Sequence, residues 1–176
     1  MRNLVTSLLA LLLLSGTALA WEPDPKDEME LSVAKSILGA KAKDPTLANW
    51  FEAATAYAVF PRVGKAGIGI GGARGKGLVI QDDKTIGRAS LTQLTVGLQL
   101  GAQSYSEYVF FRDQTALDDF KRGNFELGAQ VSAVAVTAGA SADADYSKGV
   151  AVFTIAEGGL MYEASVGGQK FKFRDP

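Results

Sequence analysis

Residues 57–80, YAVFPRVGKAGIGIGGARGKGLVI, hold seven of the chain's twenty glycines and four basic residues, Arg62, Lys65, Arg74 and Lys76. No acid interrupts the run from Ala53 to Gln81. Glycine weakens a strand unless the backbone must bend or come close to something. The segment therefore demands a close neighbour, with positive charge gathered beside it. A phosphate, an anionic lipid headgroup and an adjacent strand all satisfy that demand.

The rest of the chain narrows the choice. Arg2, the apolar run from Leu4 to Leu14 and Ala18-Leu19-Ala20 read as a secretory leader cut after Ala20. The run is short for a membrane span of roughly 20 residues. The expected product is residues 21–176, one domain located in the periplasm and soluble or peripheral on a membrane. With a net charge of −1, bulk charge points to no nucleic acid or other polyanion, so any electrostatic attraction must be local. The chain contains neither His nor Cys. It therefore lacks the usual zinc ligands, the commonest general base and the thiol nucleophile. No enzyme chemistry, metal or cofactor is expected.

Two helices are expected first, with Asp24-Pro25 and Asp44-Pro45 as their starts. Met29, Val33, Ile37 and Leu38 mark an apolar stripe on the first, which Gly39 would end. Leu47, Trp50, Phe51, Ala54 and Ala58 mark the second. From Val63 the period becomes two. Ala66, Ile68 and Ile70 suggest a strand, Ala73-Arg74 a turn, and residues 75–81 a return strand. Asp82-Asp83-Lys84 reads as a polar turn. Leu94, Val96, Leu98 and Leu100 alternate with Thr95, Gly97, Gln99 and Gly101, giving one apolar face and one small, polar face. Residues 105–111 form a more uniformly apolar strand, and a helix starting at Thr115 should end at Gly123. Strands resume at 126–138, 148–156, 160–166 and 169–173, with Glu157-Gly158-Gly159 and Gly167-Gly168 as hairpin turns. Residues 139–147 read as a loop. The fold class is α+β: a mainly antiparallel, strongly curved sheet with two N-terminal helices and one internal helix packed on it.

Gly67, Gly69 and Gly72 match G-x-G-x-x-G by letter, but a dinucleotide site needs that turn to open a helix, and here a strand follows. A P-loop is excluded because Ile70 and Gly77 stand where it needs Gly and Ser or Thr. Arg62, Lys65, Arg74 and Lys76 fall at the ends of the expected first hairpin, where Lys84 and Arg88 could join them. They read either as a headgroup site or as a solvated face. Lys170, Lys172 and Arg174 alternate with Phe171 and Phe173, a pattern that lysine protection of an edge strand explains. Asp143 and Asp145 lack the glycine and glutamate of a calcium loop and read as solvated acids.

Three blocks resemble the SYLF domain in order and spacing: residues 57–80, the stretch LTVGLQLGAQSYSEYVFFRDQTALDDFKRGNFELGAQVSAVA, and YSKGVAVFTIAEGGLMYEASVGG. The resemblance runs from about Trp50 to Phe173. It implies a non-catalytic lipid-binding domain, with Lys65 and Arg74 at matched basic positions and Arg62 and Lys76 added from local charge. In eukaryotes the family engages phosphoinositides and, in some yeast members, actin filaments. An exported chain meets neither, so the implied partner is an anionic phospholipid or membrane surface of the bacterial envelope. The acids of helix 1, Asp27, Glu28 and Glu30, depart from a membrane-inserting helix. An envelope structural or protein-interaction module remains the alternative.

Overall fold

The computed structural model describes residues 21–123, 126–127 and 134–176. The leader expected at 1–20 and residues 128–133 of the strand expected at 126–138 lie outside these. Helix α1 (Glu28–Lys43) and helix α2 (Leu47–Ala53) precede strands β1 (Ala56–Gln81) and β2 (Lys84–Phe111). Helix α3 (Gln114–Lys121), strands β3 (Glu126–Leu127) and β4 (Val134–Ala135), and strand β5 (Val150–Arg174) complete the order. Among the described residues one open sheet runs β1-β2-β5-β3. Its pairs are antiparallel except that β4 lies parallel to β5. The α+β class and the dominance of antiparallel pairing match the sequence reading.

Three strands of 26, 28 and 25 residues replace the shorter strands expected. Ala73 and Arg74 are not a turn: they pair with Gln93 and Thr92 in mid-strand. The reversal comes at Asp82 and Asp83, whose φ angles of 48° and 55° form the two-residue turn that suits a hairpin. Likewise Gly158, Gly167 and Gly168 pair with Ser104, Thr95 and Leu94 within β5, so no hairpin forms there. Glycine in these strands marks bending, not ending.

The bend is visible in β1. Its register against β2 shifts between Ile68 and Ile70, and Gly69 there has a φ of 69°. Beyond it the strand returns onto its own first half. A Cβ placed on Gly75 would lie 2.8 Å from Val63 Cγ2, and one on Gly77 only 2.1 Å from the Val59 carbonyl oxygen. A straight strand would hold Gly77 and Val59 roughly 60 Å apart.

This return gives the sheet two distinct cores. Inside the bend, Phe60, Val63, Leu91, Val109 and Phe171 pack with α3 through Leu117 and Phe120. Phe120 lies 4.9 Å from the Phe111 ring and 5.2 Å from Phe171. On the outer face, Val59, Leu78, Ile80, Tyr108 and Phe153 pack against Val33, Ile37 and Leu47 of α1 and α2. Tyr108 to Phe111 are therefore buried on both sides, as their uniform hydrophobicity suggests.

The helix starts differ in detail from the sequence reading. Asp27, not Asp24, caps α1, accepting from the Met29 and Glu30 amides at 2.8 and 3.3 Å. Asp24 forms the preceding turn, its carbonyl accepting from the Asp27 amide at 3.0 Å. Gly39 does not end α1, which continues to Lys43. Ala58 lies in β1 rather than on α2. Asp44 is fully buried and ties the α1–α2 link to the 139–147 segment. It accepts from Thr46 N and Oγ1 and from Ser141 N and Oγ at 2.6–3.0 Å. Burial pushes its carboxyl up, but these four hydrogen bonds outweigh that and hold it well below the usual range. Helix α3 is capped by Asp113 and followed by Gly123 at φ 72°, the expected stop.

Gly77→Ala should therefore destabilise the protein by about 3 kcal/mol or abolish folding, since backbone rather than a flexible side chain occupies the space. Gly64, with nothing within 4 Å of the place a methyl would take, should accept alanine within about 0.5 kcal/mol. Urea midpoints of the two variants check the contrast.

Candidate lipid-facing site

Because β1 returns on its inner face, the even-numbered residues from Gly64 to Lys76 point outward and Lys65, Gly71, Ala73 and Gly75 point inward. Cross-strand pairing carries this division into β2. Ile68 opposes Leu100, Ile70 opposes Val96, and Gly72 opposes Leu94. The outward face at the bend consequently carries Ile68, Ile70, Leu94, Val96, Leu98 and Leu100, which are 56–80% exposed. The apolar face expected at Leu94–Leu100 exists, but it faces solvent. Alternation alone does not say which face a sheet curls toward, so which of the two faces is exposed has no local signal in the residues.

One row further along the strands the same face turns basic. Arg74, Thr92 and Lys170 form one cross-strand row, and Lys76, Ser90 and Lys172 form the next. These cations lie immediately beside the apolar band, which ends at the Gly72–Leu94–Gly168 row. Lys170 pairs with Thr92 on one side and Glu126 on the other, so at this row β5 is not an edge strand. Edge protection therefore does not explain Lys170, and the two basic groups that the sequence separates by nearly a hundred residues share one surface.

Of the residues singled out by charge, Arg62, Arg74 and Lys76 line one groove of about 730 Å³ beside Met29 and Ser32 of α1. Arg74 also lines an adjoining cavity of about 790 Å³ with Lys65 and Lys170. Lys65 is only 9% exposed and rises from the inner face, unlike the other three. Arg62 has a side chain 80% exposed and approaches Glu157 at 4.0 Å, a weak pairing. Arg88 does not join the group, because it binds the α1 cap Asp27 at 2.5 Å. Lys84 sits at the opposite end of the hairpin, next to the Asp82–Asp83 turn.

The inner face at the bend is polar. Further along the inner face, Glu107 pairs with Phe60 and is fully buried; its Oε2 accepts from Gln169 Nε2 at 2.9 Å, while Oε1 has no hydrogen-bond partner among the described residues. Burial pushes its carboxyl up to about 7, against the lowering effect of the Gln169 bond. Nothing in the sequence distinguishes Glu107 from an ordinary surface acid on an alternating strand.

Between its unfolded pKa and about 7, Glu107 is protonated in the fold and ionised in the unfolded chain. Stability must therefore fall as pH rises through that window, by up to about 3 kcal/mol. Glu107→Gln removes the ionisation and should raise the thermal midpoint at pH 8 while changing it little at pH 4. Melting curves at the two pH values check the sign.

Comparison with known proteins agrees with the motif likeness. Residues 92–176 match the family model Ysc84, described as Las17-binding protein actin regulator. That stretch takes in most of β2 and all of β5, two of the three strands of the bend. The chain is also similar to beta cell expansion factor A of Aeromonas veronii, at 26% identity over 156 residues. The alignment covers 84% of this chain and 59% of that protein, so the chain spans less than two thirds of its relative's length.

Proposed function

We propose that this chain, which carries the Ysc84 (SYLF) domain over residues 92–176, is a non-catalytic lipid-binding protein of the bacterial periplasm that docks on anionic membrane surfaces. One observation carries the reading: six large aliphatic side chains stand exposed on one sheet face, directly beside rows of basic residues. Contiguous exposed hydrophobicity of this kind marks an interaction surface. The adjoining cations select an anionic partner, and a bilayer offers both halves in that order, acyl chains next to phosphates.

Dimensions set the depth. From Leu94 to Leu100 the strand rises about 20 Å, less than a hydrocarbon core of about 30 Å. The band therefore enters one leaflet and does not span. Arg74, Lys76, Lys170 and Lys172 then lie at headgroup level, where each contributes about 1 kcal/mol of salt-sensitive attraction. Burial of the aliphatic residues adds an attraction that salt does not screen. Relative to the motif-based site, the headgroup contacts shift from Lys65 toward Lys170 and Lys172, with Arg62, Arg74 and Lys76 retained along the α1 groove. Helix α1, whose apolar residues Val33 and Ile37 are buried in the outer core, is not the inserting element.

Co-sedimentation with vesicles separates the two contributions. Arg74→Glu with Lys76→Glu should weaken binding to phosphatidylglycerol-containing vesicles at least ten-fold, with the thermal midpoint nearly unchanged. Leu98→Ser with Leu100→Ser should remove the component that persists in high salt and should not destabilise the fold. Equal binding by both variants and the parent would end the lipid reading. Dimerisation through the band without vesicle binding would make it a protein-interaction surface instead.

A further inference from the structure

The groove of about 730 Å³ that holds Arg62, Arg74 and Lys76 does not stop at Ser32. At Ser32, Pro61 and Arg62 it meets a narrower slot of about 360 Å³ that continues along α1 to Gly39 and Ala40. The two parts differ in chemistry. In the wider part three cations stand beside the hydroxyls of Ser32, Ser90 and Thr92, over a lining that is otherwise apolar. The side chains of Arg74 and Lys76 make no hydrogen bond or ion pair among the described residues, and Arg62 has only its 4.0 Å approach to Glu157. In the slot the polar groups satisfy one another. Ser36 Oγ lies 2.7 Å from Tyr108 Oη, while Ser106 Oγ lies 3.1 Å from the Pro61 carbonyl oxygen and is bonded to Glu157. What the slot leaves open is carbon surface from Ala40, Pro61 and Ile155, with Lys35 and Glu157 exposed at its rim.

Two glycines line this path without serving the packing. A Cβ on Gly39, in the slot, or on Gly64, in the wider part, would meet no protein atom within 4 Å. Gly39 stands inside α1, where glycine is unfavourable, and Gly64 inside β1, where it also weakens the element. Their common effect is to keep the groove open. Length and width then restrict the guest. From Ser32 to Ala40 the helix rises about 12 Å, close to the depth of one leaflet, half of a hydrocarbon core about 30 Å thick. The slot therefore suits a single acyl chain. The three cations and three hydroxyls at the wider end suit a phosphate that carries a further hydroxylated group, through charge-assisted and neutral hydrogen bonds.

We propose that this groove binds one molecule of an anionic single-chain phospholipid, a lysophospholipid, with its phosphate held by Arg62, Arg74 and Lys76 and its chain laid beneath α1 toward Gly39. The proposal rests on the membrane reading above only for the headgroup role of these cations; docking by the aliphatic band is not required. The cationic end adjoins that band, since Arg74 and Thr92 form the row next to Leu94.

Calorimetry with myristoyl lysophosphatidylglycerol, kept below its micelle concentration, tests the site on the purified protein. One molecule should bind, at least about ten-fold tighter than lysophosphatidylcholine of the same chain, because the cations favour the net negative head. Gly39→Leu plugs the slot and Gly64→Val plugs the wider part. Each should weaken lysophosphatidylglycerol at least ten-fold, with the fold retained by circular dichroism and binding to phosphatidylglycerol vesicles unchanged. The Leu98→Ser with Leu100→Ser variant should bind the lysolipid as the parent does. Plug-sensitive binding in a protein that binds no vesicle upholds the groove and ends only the membrane reading. Equal affinity for the two lysolipids, binding unchanged by either plug, or loss of binding in the Leu98/Leu100 variant overturns the proposal. Myristate bound as tightly as lysophosphatidylglycerol overturns the phosphate assignment.

Discussion

The contact of β1 with itself governs everything else in this fold. Gly75 and Gly77 lie so close to Val63 and Val59 that a side chain on either would collide with the facing residue. That closeness allows a 26-residue strand to turn back within the sheet without breaking its ladder to β2. Once the inner face is committed to packing on itself, α1 and α2 must take the outer face. They cover it only where Val59, Leu78, Ile80 and Tyr108 present large side chains. The bend is left with an outer face that α1 and α2 do not cover, while the inner face buries Glu107 beside the apolar core of Phe60 and Phe171. The exposed aliphatic band and the buried inner face are the two sides of that one geometric fact.

Some of this is legible in the residues. The helical stripes, the Asp82–Asp83 turn, the stop at Gly123 and the doubly buried 108–111 segment follow from periodicity and turn chemistry that act over a few residues. The strand lengths are not legible, because glycine punctuates a sequence identically whether it ends a strand or bends one. Gly158 has the composition of a turn around it, yet it sits inside a continuous pairing with Ser104. Gly69 lies in an alternating run that looks straight, yet it marks the bend. Correct register across three long strands is a long-range property, and it decides which residues become neighbours.

The same distinction between local and long-range signals explains how the basic residues are grouped. Local charge identifies Arg74 and Lys76, since both lie in the acid-free run. It groups Lys65 with them because spacing along a strand looks like proximity, but odd and even positions face opposite ways. Lys170 and Lys172 look like edge protection because the last strand of a chain so often is an edge. Here β5 pairs with β2 along its length and with β3 beside Lys170, which carries these lysines into the rows of Arg74 and Lys76.

Sites of function are where a sequence departs from what stability alone would choose. Two such departures lie on opposite faces of the same strands. Six aliphatic side chains face water there, although moving them inward would be favourable by roughly 1–2 kcal/mol each. On the opposite face a buried carboxyl lacks a hydrogen-bond partner for one oxygen among the described residues, an arrangement that costs about 1–3 kcal/mol. Neither arises from want of alternatives, since exchanging the two faces would place Leu94–Leu100 inside and Thr95, Gln103 and Glu107 in solvent. The curl of β1 forbids that exchange: its glycines make the inner approach possible on the odd-numbered face only. A fold that fixes so unfavourable an orientation by backbone contact becomes most stable when something outside the chain covers the apolar face. The proposed membrane leaflet fits that requirement, because its chemistry changes, as this surface does, from hydrocarbon to phosphate within a single row of residues.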